Sequence, residues 1–259
     1  MTTLIPILAQ SSYYHGSPYG SSMPMYDSLT LIGLALLILT AIIGYAVQAG
    51  LKNAFERYAQ EPAPLTGAEA ARRMLHQYGL DDVQVISVSG RLTDHYNPLD
   101  RTVNLSESVY NEASVAAIAV AAHECGHAVQ HAQAYPWLTL RSSLVPMVNT
   151  GSHLGQIVLM LGLGLLAMGS GTTVAWIGLA LYATTTLFAL VTLPVEFDAS
   201  RRALVWLEQS GLASRAMHGQ AGTALRWAAM TYVAAALSSL AMLLYYAFIL
   251  LSRMNQNRD

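Results

Sequence analysis

The chain of 259 residues is 54% hydrophobic, carries charge on only 11% of its positions and has a formal net charge of −2. Soluble domains place charge on about a quarter of their residues, so much of this surface faces something other than water, and the near-neutral balance argues against a nucleic-acid partner. Cys125 stands alone, which excludes an internal disulfide framework and a thiolate zinc site and leaves histidine and carboxylates as ligands for any metal.

Residues 1–27 contain no Lys or Arg and are rich in Ser, Tyr, Gly, Met and Pro. They read as a disordered extracytoplasmic tail without the basic start of a cleaved signal peptide. Four stretches reach the roughly 20 apolar residues that a helix needs to cross a bilayer. They run from about Ser28 to Ala49, Val145 to Met168, Thr172 to Pro194 and Met230 to Leu251. The expected fold is therefore mainly α: a polytopic membrane protein of about four transmembrane helices, with a small cytoplasmic α+β unit carrying the chemistry. The corresponding organisation is a tail (1–27), a first transmembrane helix (28–50), a cytoplasmic α+β unit (51–143), two transmembrane helices (144–194), a cytoplasmic helix (195–228), and a last transmembrane helix with a short tail (229–259).

Eleven of the thirteen basic residues lie between the first and second apolar segments or between the third and fourth. The positive-inside rule puts those two loops in the cytoplasm and both termini outside.

Within the first loop, Pro62 and Pro64 break the chain, and Thr66 with Glu69 forms a capping-box pattern opening a helix over Gly67–Tyr78 that stops at Gly79. Residues 83–88 alternate with period two and read as a strand. A turn signal over His95–Asp100 follows, then a returning strand over Arg101–Leu105 and a helix from about Ser106 or Glu112 to Gln133.

That last helix carries His123-Glu124-Cys125-Gly126-His127. Two histidines four apart share a helix face, about 6 Å apart along the axis, so both imidazoles can bind one zinc ion. Glu124 stands beside that face, where it can take a proton from the water the metal activates. Cys125 points away and reads as a packing residue.

A catalytic zinc needs a third protein ligand. Glu196 is the leading candidate, because a carboxylate after some twenty apolar residues is costly without a task. Asp198 is the rival, about 200° round the same helix, and His131 is a neighbour two turns beyond His123.

Three stretches resemble the YugP-like neutral zinc metallopeptidases of bacterial membranes: Leu92-Thr93-Asp94-His95-Tyr96, the run from Val120 to Gln130, and the run from Leu193 to Leu204. Leu140–Pro146 and Thr231–Leu237 extend the resemblance, which covers nearly everything from Ser28 to the last apolar segment. It implies zinc, one ion per chain, peptidase activity and a bacterial cell membrane. Glu196-Phe197-Asp198-Ala199-Ser200 is similar to the third-ligand motif of the HtpX and CAAX-prenyl endopeptidases, which implies Glu196 as ligand in a gluzincin-type site. Those families carry Asp where this chain has Ser200, so Ser200 is expected to steady a ligating histidine more weakly.

Direct hydrolysis of a protein or peptide substrate, with Glu124 as general base, follows as the expected function. A zinc-binding, non-proteolytic membrane chaperone is the alternative. Arg202, Arg201, Tyr96, His95 and Tyr232 are candidates to receive the oxyanion or the substrate, and the strand near Tyr96 could offer an extended peptide its edge.

Overall fold

A computed structural model describes residues 28–256, so the expected N-terminal tail lies outside the described residues. Ten elements follow in order: α1 (Ser28–Tyr58), α2 (Gly67–Gln77), β1 (Gln84–Val88), β2 (His95–Asn97), β3 (Thr102–Ser106), α3 (Glu107–Asn111), α4 (Val115–Ala132), α5 (Pro136–Ala167), α6 (Thr172–Gln209) and α7 (Arg215–Gln256). Among the described residues, α1, α5, α6 and α7 are the helices long and apolar enough to cross a bilayer. The protein is a mainly helical membrane protein with a small sheet.

The long helices exceed the apolar segments that announce them. Helix α5 begins at Pro136 and α6 continues through Pro194 to Gln209. Glu196 therefore lies inside one continuous helix rather than at the start of a separate cytoplasmic one. The break expected after Pro194 falls instead between Gln209 and Arg215, where Gly211 adopts a positive φ of 69°. Pro194 has no N–H to give, yet a helix inside a membrane protein tolerates that loss when neighbouring helices hold it.

Helix α1 packs on α7, α7 on α6, and α6 on α5. Small residues set the α5–α6 distance: a Cβ added to Gly162 would lie 2.3 Å from the Ala175 nitrogen. Without a hydrophobic driving force between helices in lipid, such close contact supplies the packing energy.

The larger core lies under the loop unit. Thr66 caps α2, with its side chain accepting from the Glu69 N–H and Glu69 accepting in return from the Thr66 N–H. That helix buries Met74 and Leu75 against α4 and the sheet, together with Val103, Leu105, Ile118, Trp206 and Leu225. Strand order is β1-β3-β2, with β1 parallel to β3 and β2 antiparallel to it. The turn signal near His95 thus includes a short strand, and the returning strand returns relative to β2, not β1. Pairing on one side only leaves β2 as a sheet edge.

Helix α4 opens at Ser114, whose hydroxyl accepts from the Ala117 N–H at 3.2 Å. Its alanines are nearly all inaccessible to solvent, which lets it pack closely on α2, α6 and α7.

Candidate metal centre

Helices α4 and α6 meet backbone to backbone at Gly126 and Ala199. A Cβ on Gly126 would lie 2.6 Å from the Ala199 carbonyl oxygen, so only glycine allows the approach. The crossing sets the site. His123 and His127 stand three before and one after Gly126, and Glu196 and Ser200 stand three before and one after Ala199. Side chains at these spacings share a helix face, so both pairs are carried to the same side of the contact.

Nε2 of His123 lies 3.4 Å from Oε2 of Glu196, and Nε2 of His127 lies 3.6 Å from the same oxygen. All three candidate ligand atoms fall within 4.8 Å of one another. Two ligands held about 2.0–2.1 Å from a tetrahedral zinc are about 3.4 Å apart, which matches the two histidine–Glu196 separations.

Glu196 is 2% exposed, and its Oε2 has no hydrogen-bond donor. A buried carboxylate oxygen without a donor is costly unless a cation meets it. For the His127 ring, burial opposes the protonated form. The Glu196 and Glu124 carboxylates outweigh that effect and raise its pKa above the ordinary imidazole value. Positive charge is thus favoured at this point. Two imidazole nitrogens, one carboxylate and space for a fourth ligand suit a zinc ion.

The far nitrogen of each imidazole is also engaged. Ser200 Oγ lies 3.1 Å from Nδ1 of His123. Gln130, fully buried, places Oε1 3.0 Å from Nδ1 of His127 and donates from Nε2 to the Val195 carbonyl at 2.8 Å and to Asp198 at 2.9 Å. Both of those partners only accept, so the amide hydrogens are spent on them. Oε1 can only accept, which makes His127 Nδ1 the donor and turns the Nε2 lone pair toward Glu196. Asp198 is held in turn by Arg201 and Arg202.

In front of this cluster opens a cleft of about 450 Å³, whose lining includes Glu124, His127, Glu196, Tyr96, His131 and Tyr232. Glu124 is 8% exposed and shares the space with two of the three candidate ligands. The Tyr96 hydroxyl lies 2.8 Å from Nδ1 of His131, and burial pushes the Tyr96 phenol pKa up. His95 also borders the cleft, with its Nδ1 2.7 Å from the Thr93 carbonyl.

The structure brings His123, Glu124, His127, Glu196, Ser200, Tyr96, His95 and Tyr232 to one locality. Asp198 belongs to it only through Gln130. Arg202 does not line the cleft: it is committed to Asp198 and Gln133 and lies over the Tyr135 ring. Arg201 is held on Asp198 with its side chain 70% exposed. Both arginines are thus partners of Asp198, and neither lines the cleft. Sequence reasoning gave no role to Gln130, although a glutamine three residues after a candidate ligand, on an otherwise apolar helix, was a signal. Arg141, one of the basic residues between the first and second apolar segments, also lines the cleft.

A helix of the loop unit, α4, and a helix long and apolar enough to cross a membrane, α6, thus carry a two-histidine, one-glutamate cluster of the kind that holds a metal ion. Residues 33–251 match the family described as "Putative neutral zinc metallopeptidase", and the chain belongs to that family. It is also 40% identical over 229 residues to the "Putative membrane protease YugP" of Bacillus subtilis (strain 168), an alignment spanning 88% of this chain and all of that protein. No solved structure matches it.

Proposed function

We propose that this protein hydrolyses peptide bonds of membrane-associated proteins, with one zinc ion held by His123, His127 and Glu196 and with Glu124 as general base. Read this way, the helix is an HExxH zinc helix and Glu196 completes a gluzincin-type ligand set. The observation that carries the reading is the placement of Glu124 in the cleft with His127 and Glu196, where a pure binding site has no use for a second carboxylate.

Zinc bound there supplies Lewis acidity, which lowers the pKa of a water and polarises a carbonyl. The protein's own residues do the rest. Gln130 and Ser200 orient the two imidazoles from behind. Glu124 takes the proton of the attacking water on its carboxylate and returns it to the leaving nitrogen. Tyr232, Tyr96 and His95 are the donors from the original candidates that border the cleft and can meet the substrate's oxygens. An extended peptide can lie along the free edge of β2, held by backbone hydrogen bonds.

The distribution of basic residues supports a cytoplasmic active site, with residues 51–143 and the segment 195–228 on that side, and the likeness to a Bacillus subtilis protein supports a bacterial cell membrane.

Cleavage of a casein-type substrate by detergent-purified protein, compared with Glu124→Gln and with zinc assayed in both, tests the proposal. Loss of about 10²-fold or more of the rate with zinc retained supports it. Zinc in both chains without cleavage by either points to a non-proteolytic metal-binding protein, and a chain that binds no metal refutes the site.

A further inference from the structure

Arg141 stands near the start of α5, where a basic residue is expected to face lipid headgroups. It faces inward instead. Its guanidinium carbon lies 5.9 Å from the centre of the Phe188 ring on α6, and its Nε is buried without a hydrogen-bond acceptor. The side chain lines the cleft together with Glu124, His127, Glu196 and Tyr232.

The other arginines near the site are committed. Arg201 and Arg202 share the Asp198 carboxylate, and Arg202 also holds Gln133. Arg141 has no ion pair and no hydrogen bond among the described residues, and it is the only Lys or Arg bordering the cleft. With a divalent ion at His123, His127 and Glu196, the carboxylates of Glu124 and Glu196 are balanced in charge. Of the other carboxylate on the cleft wall, Asp94, both oxygens accept from Ser106, so Arg141 remains a guanidinium with no acceptor among the described residues. A guanidinium fork desolvated on one side by an aromatic ring and left without an acceptor is matched to a planar carboxyl-type oxygen.

We propose that Arg141 is a substrate-binding residue whose guanidinium donates to a carboxyl-type oxygen of the peptide in the cleft. The oxygen belongs either to a main-chain carbonyl or to a carboxylate; both accept from a guanidinium N–H, and only the carboxylate is charged and can take two donors at once. The proposal rests on the peptidase reading of the cleft, and it identifies the group that recognises the substrate there.

The test reads binding, so that it does not depend on turnover. Zinc-loaded full-length Glu124→Gln is titrated with two fluorescent casein-derived peptides, one amidated and without acidic residues, the other with a free C-terminus and acidic residues. The same titration follows on Glu124→Gln combined with Arg141→Ala or with Arg141→Gln. The expected result is an affinity about 10- to 100-fold lower without the guanidinium, with zinc content and melting temperature unchanged. Loss on both peptides assigns the main-chain carbonyl, and loss confined to the acidic peptide assigns the carboxylate. Equal affinity with and without the guanidinium, or no binding by any of these chains, overturns the proposal. So does a fall in zinc content or melting temperature that accompanies the loss in both arginine variants, because the residue is then structural. The peptidase reading stands or falls separately, on cleavage by wild type against Glu124→Gln.

Discussion

Oε1 of Gln130 accepts from Nδ1 of His127 at 3.0 Å, while the amide nitrogen of the same side chain is tied to Val195 and Asp198 on the neighbouring helix. One side chain therefore fixes the tautomer of a candidate ligand and fastens α4 to the turn of α6 that carries Glu196. Replacement by leucine keeps the volume and removes every one of these bonds. Gln130→Leu should weaken zinc binding by about 10- to 100-fold, the usual effect of losing a hydrogen bond behind a ligand. Competition with a chelator measures it. Unchanged affinity would mean that packing alone orients His127.

How much of this could be read from the chain follows from which features are local. Two histidines and a glutamate at helical spacing are a local pattern, and so is a capping box such as Thr66 with Glu69. Four long apolar segments are equally plain. Glu196 was legible because its cost in an apolar setting is itself a signal. The partners of Asp198, Arg202 and Arg141 were not, because they depend on how α4, α5 and α6 face one another. A residue such as Arg202 looks free in sequence and is bound in the structure, while Arg141 looks like a headgroup anchor and faces a cleft. The short strand at His95–Asn97 was hidden by the turn residues that follow it, and only pairing with β3 reveals it.

The crossing of α4 and α6 depends on a missing methyl group. An alanine at position 126 would bring Cβ within 2.6 Å of the Ala199 carbonyl oxygen and 3.1 Å of its Cα, both backbone atoms that cannot rotate away. The helices must part, and Glu196 moves away from the histidines as they do. Gly126→Ala should lower stability by about 1–3 kcal/mol, the usual cost of overpacking, and reduce zinc occupancy. Gly44 on α1 is the control, since a Cβ there meets nothing within 4 Å. Thermal unfolding and metal analysis of both variants would separate the outcomes, and equal behaviour would show that α4 and α6 yield at no cost.

Acid should loosen the loop unit through the α2 cap. Glu69 accepts the Thr66 N–H at 2.8 Å, and that bond, with the Thr66 hydroxyl contact, lowers its pKa below the ordinary carboxylate value. A carboxylate whose folded pKa lies below its unfolded value stabilises the fold above the unfolded value, and the contribution disappears as pH falls through the folded one. The difference in melting temperature between wild type and Glu69→Ala should therefore be constant near neutrality. It should shrink below about pH 4, the ordinary range for a glutamate. A difference that persists unchanged at lower pH would assign the effect to helix propensity instead of the charged cap.

Ser200 offers a graded test of the other histidine. Its Oγ lies 3.1 Å from Nδ1 of His123, and no other hydrogen bond of that ring is found among the described residues. A hydroxyl can accept from a protonated Nδ1 or donate to the lone pair of an unprotonated one, so this contact orients the ring without enforcing a tautomer, unlike the Gln130 amide behind His127. Ser200→Ala should accordingly cost less zinc affinity than Gln130→Leu, about tenfold at most, and leave the α4–α6 packing intact because the side chain gives up a single contact. Cobalt substitution provides a second readout, since the visible spectrum of the loaded site responds to ligand geometry and not to fold stability. A larger loss in Ser200→Ala than in Gln130→Leu would reverse this ranking and make His123 the ligand whose orientation limits metal binding.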